Sequence, residues 1–86
     1  MPPYRLEVKP SVYRALRRIP EAELLRIDSR IRSLAHDPRP TGCKKLTGEE
    51  SLYRVRQGDW RIVYQVLDGE RSVVVLVVGH RRDVYR

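Results

Sequence analysis

The stretch SLYRVRQGDWRIVYQV, Ser51–Val66, decides the fold. Two runs of alternating residues flank Gly58–Asp59, a dipeptide suited to a two-residue hairpin turn. With that turn, Gln57 pairs with Trp60, Arg56 with Arg61, Val55 with Ile62 and Arg54 with Val63. Successive strand residues point to opposite faces. Tyr53, Val55, Ile62 and Tyr64 therefore form an apolar layer on one side, and Arg54, Arg56 and Arg61 occupy the other. Arg56 opposite Arg61 is an unfavourable pair, within the roughly 0.2–1 kcal/mol scale of cross-strand contacts. A purely structural hairpin would carry Thr or Glu there, so the repulsion points to a polyanionic partner. The competing structural reading lets the arginines splay into solvent or pair with Glu49, Glu50 or Asp59.

Downstream, Asp68–Gly69 gives a second turn signal before a strand over Arg71–Val78. Its VVVLVV run is apolar on both faces, which predicts a central position in the sheet. Upstream, YRLEVK (Tyr4–Lys9) alternates strictly and reads as a half-buried strand. Val12, Ala15, Leu16 and Ile19 then recur on one helical face, with Pro10 suited to the first turn. Pro20 separates this helix from a second, in which Leu24, Ile27, Ile31 and Leu34 make the apolar stripe and Glu21 and Glu23 suit the positive end. The expected fold is α+β, one domain over residues 1–86. An N-terminal strand and two helices precede a three-stranded antiparallel meander, and the helices cover one face of the sheet.

Eighty-six residues at 41% apolar support one modest core. No run approaches the ~20 apolar residues of a membrane span, and MPPYRLEVKP has no hydrophobic export signal. Cys43 is the single cysteine, without a disulfide partner or companions for a metal site. A soluble cytoplasmic protein is expected, with no cofactor and no metal. Lys and Arg number 18 against 11 Asp and Glu, for a net charge of +7. Fifteen of the cations are arginine, whose planar fork of donors matches phosphate in two-point contacts. Nucleic acid or another acidic partner follows from that balance.

Antiparallel pairing returns the end of the third strand, VVGHRRDVYR, beside Trp60–Arg61. Gly79, His80, Arg81, Arg82 and Tyr85 are thereby expected near the Arg56–Arg61 pair, with Lys44 and Lys45 extending the basic track. Arginines, an imidazole and an aromatic ring can grip phosphate, move a proton and stack a base.

The segments KKLTGEESLYRVRQGDWRIVYQV and VVVLVVGHRRDVYR, in this order and spacing, resemble the RelE family of toxins in the RelE/ParE superfamily. The likeness runs along nearly the whole chain. It implies a toxin of a type II toxin–antitoxin system: a metal-independent endoribonuclease that cleaves mRNA in the ribosomal A site. There the ribose 2′-OH attacks the adjacent phosphorus. The resemblance also implies an antitoxin partner and a toxin–antitoxin hetero-oligomer. Family motifs carry over to Arg54, Arg56, Arg61, Arg81 and Tyr85, with Arg61 and Arg81 stabilising the phosphoryl charge and Tyr85 stacking on a base. Many relatives have lysines where this chain has Arg54 and Arg56. Arginine is a poor base because its guanidinium holds its proton, so His80 becomes the candidate for proton transfer. The alternative implied by the same superfamily is a ParE-like inhibitor of DNA gyrase without nuclease activity. A third reading is a basic nucleic-acid-binding module. His36 reads as a helix-terminal residue, Tyr13 as packing or surface, and Cys43 as structural.

Overall fold

The computed structural model describes residues 3–46 and 51–80. In chain order it contains β1 (Arg5–Val8), α1 (Pro10–Leu16), α2 (Glu21–Ser33), β2 (Lys44–Lys45), β3 (Leu52–Gln57), β4 (Trp60–Leu67), a 3-10 turn (Asp68–Glu70) and β5 (Ser72–His80). The strands form one sheet in the order β1-β5-β4-β3-β2. The α+β layering expected from the sequence is present, but the sheet has five strands and is mixed. β1 runs parallel to β5, and the short β2 adds an antiparallel edge to β3.

The hairpin register is the one its turn dictates: Gln57 faces Trp60, Arg56 faces Arg61, Val55 faces Ile62 and Arg54 faces Val63. Gly58 has φ +60°, whereas Asp59 is not among the positive-φ residues. Positive φ at the first central residue alone is the type II′ pattern, which wants Gly in that place and accepts Asp after it. The Asp68–Gly69 signal resolves differently. A 3-10 turn occupies Asp68–Glu70, and Arg71 takes the left-handed conformation at φ 50°.

Val12, Ile19, Ile27, Ile31 and Leu34 from the helical layer pack on Val55, Ile62, Tyr64, Val66, Val73, Val75 and Val78 from the sheet. Each such side chain contributes roughly 1.5–3 kcal/mol on burial. The inward residues of β5 are spaced two apart from Val73 to Val75 and then three to Val78. A bulge allows this: Val63 faces Val77, yet Tyr64 faces Val75, leaving Leu76 as the extra residue. Without it, either Val75 or Val78 would be turned away from the core.

Polar bonds close the end of the sheet near the 3-10 turn. Arg39, in the connection between α2 and β2, donates to both carboxylate oxygens of Asp68 at 3.2 and 2.6 Å and to the Tyr53 hydroxyl at 3.0 Å. The Tyr4 hydroxyl donates to Asp68 at 2.7 Å. Arg39 first, then Tyr4, hold the Asp68 carboxyl below the usual aspartate range. The buried Tyr64 hydroxyl donates to the Pro38 carbonyl at 2.7 Å, fixing the same connection to the core. Among the described residues, no helix is long and apolar enough to cross a membrane.

Candidate phosphate-binding face

The helices cover one side of the sheet, and strand alternation assigns the cations to the other. Arg54, Arg56 and Arg61 share that open face. Lys44 faces Arg54 and so joins them, whereas Lys45 faces Tyr53 and belongs to the helix side. Four cations from three neighbouring strands thus line one corner of the open face. Arg56 is exposed, Arg54 is half-buried, and Arg61 is only 6% exposed. A guanidinium held among packed strands acts through a lower dielectric than one in bulk water, which strengthens its pull on an anion. Across β5 from Arg61 stands Gly79, which adds no side chain to that face.

The sequence sets His80 near the hairpin without fixing which face its side chain takes; the register puts His80 on the helix side. It faces Trp60, whose indole NH donates to Glu23 on α2 at 3.1 Å, so both side chains lie on the helix side. The imidazole stands edge-on to the Trp60 ring, with centroids 5.5 Å apart. The physical reason is parity: beyond the Leu76 bulge, Val78 and His80 point toward the helices and Gly79 points to the open face. Proximity to the hairpin is as expected, but His80 is separated from Arg56 and Arg61 by the sheet itself. Arg81, Arg82 and Tyr85 lie outside the described residues, as do Glu49 and Glu50.

Two features of this region escape a reading of the sequence. The Trp60–Glu23 hydrogen bond joins residues 37 positions apart and ties the start of α2 to the hairpin turn. Val77, 44% exposed, sits opposite Val63 on the open face and gives the cationic corner an apolar flank. Cys43 is half-buried, and burial followed by that neighbouring thiol pushes the Tyr64 phenol well above its usual range. Cys43 is thus near the core, away from the arginine face. His36 is exposed just beyond α2. Guanidiniums on one sheet face can contact the non-bridging oxygens of a phosphodiester and favour a reacting phosphoryl group as its negative charge grows.

Residues 6–85 match the family described as ParE toxin of type II toxin–antitoxin system, parDE. The chain belongs to that family, within the RelE/ParE superfamily. It is 30% identical to toxin RelG of Mycobacterium tuberculosis over 98% of both chains. It is 28% identical to toxin RelE of the same organism, over 98% of this chain and 88% of the relative. The archaeal RelE–RelB complex from Pyrococcus horikoshii OT3 contains a chain that superposes with a TM-score of 0.83 at 29% identity, covering 94% of this chain and 98% of that one. The protein is a RelE-type toxin of the type II toxin–antitoxin class.

Proposed function

We propose that the chain is a ribosome-dependent endoribonuclease that cuts mRNA in the A site. The observation that carries this reading is the cationic corner, with Arg56 directly opposite Arg61 and Arg54 and Lys44 beside them. In the proposed reaction the 2′-OH loses its proton and its oxygen attacks the neighbouring phosphorus. The P–O5′ bond breaks and the leaving oxygen takes up a proton, giving a 2′,3′-cyclic phosphate and a 5′-OH. Arg61 and Arg56 balance charge on the pentavalent phosphoryl group. Arg54 and Lys44 hold the flanking backbone, and Arg81, Arg82 and Tyr85 add the charge and base stacking that the family resemblance implies. Arginine at 54 and 56 keeps its own proton and His80 lies on the far side of the sheet, so none of these three supplies the base for the 2′-OH. The step needs no metal. An antitoxin, the type of partner in the Pyrococcus RelE–RelB complex, holds the toxin inactive in the cytoplasm.

The second reading is gyrase inhibition without cleavage. The match to the ParE family favours it, as does arginine in place of lysine at 54 and 56. Inducible expression, with mapping of mRNA 5′ ends and of plasmid topology, separates the two. Codon-phased cuts in translated messages are the expected result. Intact messages with gyrase-dependent DNA damage would establish the second reading instead.

A further inference from the structure

Away from the open face, a groove of about 500 Å³ runs along α2 beside the end of β3, lined by Leu25, Arg26, Ser29, Arg30, Ser33 and Gln57. The α2 residues recur at helical spacing on a face distinct from the core stripe of Ile27, Ile31 and Leu34. Two properties single the groove out. Leu25 is 63% exposed, the most exposed large apolar side chain among the described residues. The Nε of Arg30 is buried and has no hydrogen-bond partner. Among the described residues, neither Arg26 nor Arg30 forms an ion pair, whereas Arg32 on the same helix is paired with Asp28.

Two groove-lining guanidiniums without a carboxylate partner and an apolar side chain held in water are both satisfied by one kind of occupant. We infer that this groove docks a segment of the antitoxin that presents a carboxylate to Arg26 and Arg30 and an apolar side chain to Leu25. The inference rests on the reading that the chain is neutralised by an antitoxin. Charge complementarity fixes the acidic element. The exposed side chain beside the arginines is an aliphatic leucine, which favours a peptide over a nucleic-acid strand, whose bases stack best on aromatic rings. Because the groove lies on the helix side, an antitoxin held here is anchored without competing for the arginine face.

The test compares the parent chain, Arg26→Glu/Arg30→Glu and Leu25→Ser, each purified and titrated with the cognate antitoxin, and each expressed with and without it. Leu25 is exposed enough for its variant to fold, and melting curves check both. The expected result is toxicity within twofold of the parent when the toxin is expressed alone. Affinity for the antitoxin falls at least tenfold in the charge-reversal variant and severalfold in Leu25→Ser, and both variants escape neutralisation. Parent-like affinity in both folded variants would overturn the inference and leave the antitoxin reading standing. Reduced toxicity with unchanged antitoxin affinity would also overturn it, assigning the groove to an RNA or ribosomal contact. A parent chain that binds no antitoxin would remove the underlying reading, and this inference with it.

Discussion

Arg61 lies directly opposite Arg56 in the hairpin register, yet Arg61 is almost fully buried while Arg56 is exposed. The two guanidiniums therefore differ in what their removal should do. Arg61→Ala should lower RNA cleavage by on the order of 10²–10³-fold, the scale for one donor aimed at developing charge. Arg56→Thr should lower cleavage too, but raise stability by up to about 1 kcal/mol as the like-charge pair is relieved. Single-turnover cleavage and urea denaturation check the pair. An Arg56→Thr variant less stable than the parent would show that the arginine is held by favourable contacts.

His80 on the helix side of the sheet predicts a specific kinetic silence. His80→Gln should retain cleavage within a few-fold of the parent, and its pH–rate profile should keep the same shape. Loss of an inflection from that profile would place the imidazole in the proton path after all.

The Trp60–Glu23 hydrogen bond ties helix to hairpin, and its loss should be felt in stability. Trp60→Phe and Glu23→Ala should each cost about 0.5–1.5 kcal/mol in equilibrium unfolding. The double variant should lose less than the sum, because both changes delete one interaction. Full additivity would mean that the two side chains act independently.

Asp68 makes the sheet end sensitive to acid. Its carboxyl is held below the usual value by Arg39 first and by Tyr4 second, so the clamp stabilises the fold at pH values above about 4 and releases it as the carboxylate protonates below that. Asp68→Asn should melt at a lower temperature than the parent at pH 7, and the difference should shrink toward pH 3. A constant difference across that range would assign the effect to packing instead of charge.

The hairpin was legible because a two-residue turn fixes its register arithmetically, and with it the cationic face. The helices were legible from their apolar periodicity. What escaped depends on contacts distant in sequence. Lys44–Lys45 is too short to carry an alternation pattern, and it becomes a strand only because the edge of β3 is available. The parallel partnership of β1 with β5 joins the ends of the pattern, where no turn signal operates. The face of His80 hinges on Leu76: every residue of VVVLVV is apolar, so the run does not mark where alternation slips by one. Continuing the parity of Val73 and Val75 would bring His80 among the arginines; the bulge sends it to Trp60. Arg26 and Arg30 lie off the apolar stripe of α2, and the groove beside them exists only where the end of β3 meets that helix.

The pairing of β1 with β5 bears on when the toxin becomes dangerous to the cell that makes it. Arg5 must wait for Ser72, and Val8 for Val75, before the first strand has a neighbour. A nascent chain therefore cannot complete its sheet until nearly all of the described residues have left the exit tunnel. Synthesis itself thus delays competence, leaving the translating ribosome an interval in which its product is still unassembled.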